Sequence, residues 1–366
     1  MKKIATTLLL MVTVVSASAG GLMTNSNQSA AFLRSIARGT TLDTDAVYNN
    51  PAGTVFMTDG WHFGINDQMA MQTRKTTSTF APFAMGAQNG GLMTKEYEGE
   101  VFSPLIPSFH LTWKKNRWAV MVGMGVNGGG GSLEYDNGLA SFERQFSVLP
   151  AGVSNLGQAF GLSANQYNMD MYLKGSSQTL AFQAGVSFRI TDWLSAAALI
   201  RYSTTSNAYE GYMKNIQINP TCAALGLNGA MMSAPQFFQA VGAQLGAANP
   251  QLAAAAAQYA ALTADHILDV EQTGNSISPV LALYFQKGKW SASAKYEFKM
   301  ATELEIESAE VSAADPVING IFTHGTKVKA ETPALLSLAA SRQCGPVKVT
   351  AEWHMYFDKD AENTFS

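Results

Sequence analysis

The chain has 366 residues, of which 47% are hydrophobic and 14% are charged, and its formal net charge is −3. A typical soluble domain carries roughly 25% charged residues, so this composition argues against an ordinary soluble protein. The small net charge and the lack of a basic stripe argue against nucleic acid as a partner. Beyond the amino terminus, no apolar run approaches the ~18 to 20 residues of a helical membrane span, which argues against a helical membrane protein.

The amino terminus has the pattern of a secretory signal peptide. Lys2 and Lys3 precede an apolar run over residues 4–15, and Ala-Ser-Ala at 17–19 supplies the small residues of a cleavage site. A membrane-anchoring helix is the alternative, but the run is short for one. We therefore predict a signal peptide over residues 1–19. Because the rest of the chain has the pattern of strands, we also predict a location in the bacterial outer membrane.

Residues 20–58 differ from the rest of the chain and predict a compact plug. Ser26 or Asn27 can cap a helix that ends before Gly39. A polar, turn-rich stretch follows, and it contains Asn50, Pro51, Ala52 and Gly53. Because about forty residues cannot bury a core of their own, this segment is expected to lie on or inside a larger structure.

After the plug, apolar and polar residues alternate as they do in β-strands, whose successive side chains point to opposite faces. Four connections are short, at residues 114–117, 191–192, 287–288 and 344–345, and the others are long. Short turns on one side and long loops on the other are typical of outer-membrane barrels. The pattern predicts nine strand regions, at residues 60–79, 94–114, 117–135, 166–190, 193–218, 267–287, 289–311, 331–342 and 345–358.

The alternation also assigns the two faces of the predicted barrel. The apolar positions are expected to face lipid, for example Val120, Ile200 and Phe298. The alternate positions, which carry many Arg, Lys, Glu and His side chains, are expected to line the lumen. Tryptophans lie beside the short turns, as interfacial belt residues do, at Trp113, Trp118, Trp193 and Trp290. Ordinary strand propensity is the alternative explanation of these aromatic residues.

The loop over residues 219–266 is helical in pattern. Pro235 and Pro250 each open a segment with apolar residues at helical spacing, and the first segment contains Phe237 and Phe238. The apolar surface of these two helices either caps the mouth of the barrel or forms a first docking site for a hydrophobic ligand.

The two cysteines are predicted to remain unbridged. A pair of cysteines in an exported protein normally suggests a disulfide. Cys222, however, falls in the outer loop, whereas Cys344 falls in a turn on the periplasmic side. The predicted topology therefore keeps the two residues apart.

Several motifs, taken in order, resemble those of the FadL-type outer-membrane transporters of long-chain fatty acids and other hydrophobic compounds. Gly-Gly-Leu at 20–22 leads into the Ser/Ala-rich helix, and Asn-Pro-Ala-Gly at 50–53 is similar to the Asn-Pro-Ala motif of the family's plug. Segments at 107–110, 272–275 and 332–333 follow in the family's order. The resemblance spans nearly the whole chain, and the position of the plug motif behind a signal peptide makes it specific.

The resemblance implies an all-β fold, a fourteen-stranded antiparallel transmembrane β-barrel over residues 59–366 with an N-terminal helical plug. It also implies sideways release of the ligand at a kinked third strand. Gly123, Gly125 and Gly128 are the expected kink, because glycine marks bends in strands. Since only about nine strands are apparent, and open edges are prohibitive in hydrocarbon, we expect a carboxy-terminally truncated chain.

The function implied is passive uptake of long-chain fatty acids or similar hydrophobic compounds by a monomer, without cofactor, metal or catalytic residue. The expected partners are the hydrophobic small molecule and outer-membrane lipid. The plug motif at 50–53 is expected to gate the ligand, and Phe237 and Phe238 are expected to capture it. Three lumen-facing cations are expected to meet a ligand carboxylate, because an unpaired buried charge is costly: Arg201, Lys295 and Lys299.

Three other functions compete with this one. An outer-membrane lipase would bring together Ser, His and a polar orienting residue, but the five histidines are scattered along the sequence and no Gly-x-Ser-x-Gly motif is present. A diffusion porin has a water-filled lumen without a plug, so residues 20–58 count against it. Only the plug motif argues against a purely structural barrel.

Overall fold

The computed structural model of the protein describes residues 29–157, 161–245, 249–312 and 322–363. The predicted signal peptide, residues 20–28 of the predicted plug, and the candidate helix caps Ser26 and Asn27 lie outside the described residues. Within them the chain forms an antiparallel sheet that curls into a half-barrel. This architecture agrees with the predicted all-β fold.

The strands are short near the amino terminus and very long in the centre of the sheet. Strands β6 and β7 have 27 and 29 residues, which corresponds to roughly 90 Å along the strand and exceeds the thickness of a bilayer. The strands of the described residues are β1 (Gly60–Asn66), β2 (Ala70–Thr79), β3 (Thr94–Ser103), β4 (Ser108–Lys115), β5 (Trp118–Tyr135), β6 (Ser163–Arg189), β7 (Leu194–Cys222), β8 (Leu227–Asn228), β9 (Met232–Ser233), β10 (His266–Lys287), β11 (Trp290–Glu297), β12 (Glu303–Ser312), β13 (Lys327–Lys329), β14 (Leu335–Cys344) and β15 (Val347–Tyr356).

Among the described residues, nine strands form the main path of the sheet, in the order β1-β4-β5-β6-β7-β10-β11-β14-β15. Each of the nine predicted regions contributes to this path, but three of them are divided in two. Pro104 and Pro107 separate β3 from β4, because proline has no N–H to donate to a ladder. Pro279 of β10 likewise has no N–H to donate to the neighbouring strand β11. The pairing of β10 with β11 therefore ends at Val280 and Glu297.

The sheet buries charged side chains on its inner face and exposes apolar side chains on its outer face, which is the reverse of the pattern in a soluble protein. On the inner face Arg201, Lys295 and Glu297 are 3%, 5% and 7% exposed. On the outer face Trp118 and Ile200 are 53% and 55% exposed. A soluble fold would bury the apolar side chains and expose the charges. The predicted assignment of the faces is therefore confirmed for these strands.

The amino-terminal segment lies against the inner face, where wall side chains hydrogen-bond to its backbone. It contains α1 (Ala46–Asn49) and two 3-10 helices, Ala30–Leu33 and Pro51–Phe56. Gln183 Nε2 donates to the Val47 carbonyl at 2.7 Å, and Ser195 Oγ donates to the Ala52 carbonyl at 2.5 Å. These bonds satisfy backbone oxygens that would otherwise be buried without a partner.

The helix predicted before Gly39 is shorter than expected. Only Ala30–Leu33 is helical among the described residues of this stretch, and it is a single 3-10 turn. The Ser29 hydroxyl, which precedes it, donates to Asp45 at 3.0 Å and makes no capping bond to the turn. A helix of a few residues without a cap is marginal, so the chain leaves the helical conformation early.

Four helices of the described residues cover the outer ends of the long strands: α2 (Ala140–Ser147), α3 (Leu149–Gly157), α4 (Ala234–Leu245) and α5 (Pro250–Leu262). The last two are the helices predicted in the loop 219–266. The buried apolar side chains of all four helices pack with those of β6 and β7 in one core, and we call this part of the protein the outer cap. In the parts of the chain that are described, no helix is both long and apolar enough to cross a membrane.

Cys222 and Cys344 form no disulfide, as predicted.

Glu143 of α2 is the polar centre of the outer cap. Its side chain is 3% exposed. Its carboxylate accepts hydrogen bonds from the hydroxyls of Tyr97 and Tyr167 at 2.6 and 2.8 Å, from Lys95 Nζ at 2.6 Å and from Asn89 Nδ2 at 3.0 Å. These donors come from β3, β6 and the segment before β3, so one carboxylate connects three parts of the cap.

We expect Glu143→Gln to lower the stability of the cap at neutral pH but not in acid. Burial raises the pKa of the Glu143 carboxyl, and the hydrogen bonds from Lys95, Tyr97 and Asn89 outweigh burial and hold its pKa below the usual value. A lowered pKa stabilises the fold above the unfolded-state pKa of about 4.3, and that stabilisation is lost as pH falls through the folded-state pKa.

The measurement is thermal unfolding of wild type and Glu143→Gln between pH 7 and pH 3. The difference in Tm should be largest at pH 7 and should narrow as the pH falls below the unfolded-state pKa toward the lowered pKa of the wild-type carboxyl. Glu271→Gln, at an exposed position on β10, is the matched control and should leave Tm unchanged. A difference in Tm that stays constant over this pH range would contradict the claim that the ionised Glu143 carboxylate stabilises the cap.

Candidate functional site

A cavity of about 280 Å³ lies between the amino-terminal segment and the inner wall of the sheet. Engineered apolar cavities of about 150 Å³ bind benzene, so this volume suits a molecule of monoaromatic size. Tyr48 and Asn49 of α1 form part of its boundary. The apolar part of the lining comes from Phe32, Ile36, Phe298, Met300, Leu335 and Tyr356.

One end of the cavity carries a buried ion cluster that consists of Arg201, Lys295 and Glu297. Arg201 Nη1 forms an ion pair with Glu297 Oε2, and Lys295 Nζ lies 2.7 Å from Glu297 Oε1. Lys295 also donates to the Tyr48 carbonyl at 3.0 Å, and Arg201 Nε donates to Gln183 Oε1 at 3.0 Å. A single carboxylate therefore neutralises much of the charge of two cations.

The plug adds an aromatic ring to this ion cluster. The Arg201 guanidinium carbon and Lys295 Nζ lie 4.9 and 4.8 Å from the centroid of the Tyr48 ring. Both distances fall within the range of a cation–π interaction, which is strengthened where the groups are desolvated. Tyr48 was not among the candidate residues of the sequence, because a lone tyrosine in a turn-rich segment carries no signal of such a neighbourhood.

Carboxylate binding by the predicted cations stays a prediction. Arg201 and Lys295 line the cavity, as predicted, but Glu297 already binds both. Glu352 is a second carboxylate in the lining. With neutral histidine, the two cations and the two carboxylates of the lining give a formal charge of zero.

Lys299 is not a lining residue of the cavity, although the alternation pattern predicted it to be one. Its ammonium binds Glu331 Oε2 at 2.8 Å and the Asp360 carbonyl at 3.1 Å. The strand breaks after Glu297, and the alternation does not continue beyond the break. Met300, which was expected to face lipid, is 6% exposed and lines the cavity, whereas Phe298 borders the cavity but is 40% exposed and packs against Tyr296.

The plug motif at 50–53 stabilises the plug itself and does not border the cavity. Asn50 is 1% exposed and donates from Nδ2 to the Thr41 carbonyl at 2.9 Å. Pro51, Ala52 and Gly53 begin a buried 3-10 helix. An added Cβ at Gly53 would overlap the Asn50 amide, so the motif requires glycine at this position. A gating role for these four residues stays a prediction.

The predicted kink in β5 coincides with two bulges. The register between β5 and β6 shifts between Val126 and Gly128, and again between Gly129 and Gly131. Gly123 and Gly125 precede the bulges. A Cβ at Gly123 would lie 2.9 Å from Val47 Cγ1, so glycine permits the close approach of the plug there.

The first bulge is connected to the plug by a hydrogen bond. Asn127 is the residue that the register shift leaves out, and its Oδ1 accepts a bond from the Tyr48 hydroxyl at 2.6 Å. Asn127 is 4% exposed and, like Tyr48, lines the cavity. The cavity, the amino-terminal segment and the bulged strand therefore meet at this pair of residues.

Phe237 and Phe238 are buried in the outer cap, where they are 1% and 0% exposed, which agrees with the alternative that these helices cap the mouth of the barrel. Phe238 stacks on Tyr259 of α5 at 5.0 Å between centroids, because α4 and α5 pack on each other above the strands. Capture of a ligand by these rings stays a prediction. A second cavity of about 230 Å³ in the outer cap is lined by other residues, among them Phe80, Arg144, Phe146 and Leu262.

Comparison with known proteins identifies the fold. No protein-family model and no curated protein matches the chain. A Pseudomonas aeruginosa FadL homologue matches with a TM-score of 0.56 and 13% identity, over 92% of this chain and 69% of that chain. The chain thus has the fold of the FadL-type β-barrels.

Two further solved structures are similar at lower TM-scores. The Pseudomonas putida toluene transporter TodX has a TM-score of 0.47 and 17% identity, over 93% of this chain and 69% of that chain. The Ralstonia pickettii toluene transporter TbuX has a TM-score of 0.45 and 14% identity, over 85% of this chain and 66% of that chain. The chain spans about two thirds of the length of these structures.

Proposed function

We propose that this chain, which has the FadL-type fold, takes up small uncharged hydrophobic compounds across the bacterial outer membrane. The observation that carries the proposal is the cavity between plug and wall, whose lining is largely apolar and whose buried charges neutralise one another. The ligand binds in this cavity, and the surrounding barrel spans the membrane.

The exposed face of the sheet supports a location in a membrane. Val120, Leu283 and Val349 are 44%, 51% and 59% exposed on different strands. Exposed apolar area of this extent is unfavourable in water and favourable against acyl chains. Because the strands alternate an apolar outer face with a polar inner face, they have the arrangement of a transmembrane barrel.

The ion cluster favours an uncharged ligand over a long-chain fatty acid. A carboxylate that entered the cavity would compete with Glu297 for Arg201 and Lys295, or would be buried without a partner of its own. Either alternative costs free energy, because removing a charge from water is expensive without full compensation. A neutral aromatic compound has no such cost and gains from contact with Phe298 and Leu335.

Release of the ligand follows a sideways route at the bulges of β5. The Tyr48–Asn127 hydrogen bond holds the plug against this part of the wall. A bulge leaves the ladder locally incomplete, so this part of the wall yields with a smaller loss of hydrogen bonds than a regular stretch of ladder. Opening requires the Tyr48–Asn127 bond to break.

Tyr48→Phe is expected to speed uptake, because the variant keeps the ring beside the cations and loses the hydroxyl that binds Asn127. One such bond contributes about 0.5–1.5 kcal/mol, which corresponds to a roughly 2- to 10-fold larger open population. The initial rate of toluene uptake, normalised to the amount of protein in the outer membrane, measures this change.

Tyr172→Phe is the matched control for this variant. It removes a similar bond, from the Tyr172 hydroxyl to Glu134 at 2.7 Å, and neither residue lines the cavity. Equal uptake rates in the two variants would contradict the proposed role of Tyr48 in holding the route closed.

The function itself is tested by uptake of radiolabelled toluene and oleate in a transporter-deficient host that expresses the complete gene. We expect faster uptake of toluene than in the vector control, and little change for oleate. Faster uptake of oleate alone would contradict the ligand class. No acceleration for either compound would contradict transport.

A further inference from the structure

A serine, a histidine and a carboxylate form a hydrogen-bonded chain in the wall of the cavity. Ser337 Oγ lies 2.9 Å from His354 Nδ1. His354 Nε2 lies 3.2 Å from Glu352 Oε1. All three residues line the cavity. No local sequence pattern marks this set, because its members are distant from any motif and only the pairing of two strands brings them together.

The pairing of β14 with β15 brings the three residues together. Ser337 of β14 and His354 of β15 are direct cross-strand partners, and Glu352 precedes His354 by two residues on the same face of its strand. Ser337 is 5% exposed. The second oxygen of Glu352 accepts the backbone N–H of Gly39 at 3.0 Å, so the seated plug fixes this carboxylate.

The hydrogen bonds require one tautomer of the imidazole. Glu352 can only accept when ionised, so Nε2 carries the proton of the neutral ring and Nδ1 accepts from the Ser337 hydroxyl. A nucleophile bonded to a base, which is bonded in turn to an orienting carboxylate, is the arrangement that activates serine for acyl transfer.

A buried cation lies next to the serine. Lys295 of β11 is the cross-strand partner of Ser337 on its other side, which separates their Cβ atoms by about 5 Å. An ammonium group carries three donors, and Lys295 also binds Glu297 and the Tyr48 carbonyl. A positive charge at this position stabilises the oxyanion that forms when an ester carbonyl is attacked.

We propose that Ser337 is a nucleophile toward small, uncharged carboxylic esters that enter the cavity, with His354 as general base and Glu352 as a positioning residue. Ser337 Oγ attacks the carbonyl carbon while its proton passes to His354 Nδ1. The ester C–O bond then breaks, and the leaving alcohol takes that proton. Water attacks the acyl-serine by the same route, which releases a carboxylic acid and restores the serine.

The hydrolysis consumes only the ester and water. The activity goes beyond transport, because it requires only that an ester reach the cavity. It would convert a neutral ester that the cavity accepts into an alcohol and a carboxylic acid.

In the experiment, one sample of the purified full chain is treated with a small alkyl fluorophosphonate probe, and a separate, unlabelled sample is given p-nitrophenyl butyrate. We expect labelling of Ser337, located by peptide mass spectrometry, and its loss in Ser337→Ala. The matched control is Ser341→Ala, since Ser341 lies on the same strand and face but hydrogen-bonds to Thr40 and Ser291. The control should keep the label.

Two histidine variants separate general-base chemistry from a structural role. His354→Gln should slow labelling by about 10²- to 10⁴-fold, the usual contribution of a general base. His354→Ala should regain part of its rate when free imidazole is added, an effect that a merely structural histidine would not produce. Glu352→Gln should lower kcat for the ester with little change in KM.

Three results would overturn the proposal: no label on Ser337 in folded wild type, an undiminished labelling rate in His354→Gln, or no effect of imidazole. Heat-modifiable migration verifies that each variant is folded. Toluene uptake is measured separately, so a failure of the ester chemistry and a failure of transport are distinguished from each other.

Discussion

Glu297→Gln is expected to convert the cavity into a site that binds carboxylates. The substitution keeps the size of the side chain and removes the charge that holds Arg201 and Lys295. A ligand carboxylate can then take the place of Glu297 between the two cations. Hydrogen bonds to charged groups contribute about 1.5–3 kcal/mol, so the affinity for benzoate should rise roughly 10- to 100-fold.

Equilibrium binding of radiolabelled benzoate and toluene to purified protein measures this change. The affinity for toluene should change little. Glu331→Gln is the matched control, because it releases Lys299, which lies outside the cavity lining. Unchanged benzoate binding in folded Glu297→Gln would contradict the claim that Glu297 keeps the cavity neutral.

Because Glu297→Gln is expected to lower the stability of the fold, a second variant is needed. Removing one member of a buried ion pair costs about 3–5 kcal/mol, because the remaining charge is uncompensated. Glu297→Gln leaves two buried cations, whereas the double variant Lys295→Met, Glu297→Gln leaves one. The double variant should fold more readily and should still bind benzoate more tightly than wild type does.

Gly53→Ala is expected to dislodge the plug while leaving the strands intact. The new methyl group would overlap the Asn50 amide, which would have to give up its bond to the Thr41 carbonyl. Overpacking costs about 1–3 kcal/mol and a lost buried hydrogen bond costs a similar amount, which together are enough to release a small segment.

Trypsin cleavage after Arg38 reports the position of the plug. The Arg38 side chain is 12% exposed and binds Asp43 and Asp45, so the wild type should be cut slowly there and Gly53→Ala quickly. Gly242→Ala is the control, since a Cβ at that helical position has only an ordinary contact with Ala256. Identical digestion patterns for Gly53→Ala and wild type would contradict the packing role of the motif.

The alternation of side chains was sufficient to predict much of the fold. Because strand side chains have a period of two, the sequence assigns Arg201 and Lys295 to the inner face and Trp118 to the outer face. The short turns and the helices of the outer loop follow from local signals as well. The prediction failed where the period is interrupted: after the break at Glu297, Met300 lines the cavity, and Lys299 binds Glu331 outside the cavity lining.

Much of the candidate site depends on contacts that no local pattern encodes. The Tyr48–Asn127 bond joins a plug residue to a bulge, and a bulge moves one residue out of register. The pairing of Ser337 with His354 is set by the register of two strands. Burial of Phe237 and Phe238 arises from helix packing in the outer cap, so their apolar character alone could not distinguish a core from a docking surface.

The proposal that the cavity between plug and wall is the ligand site is tested most directly by crystals soaked in 4-iodotoluene. The iodine can be located by its anomalous scattering. We expect an iodine peak within the cavity, beside Tyr48, Phe298 and Leu335. A peak confined to the outer cap, or no peak in crystals that diffract well, would contradict the account.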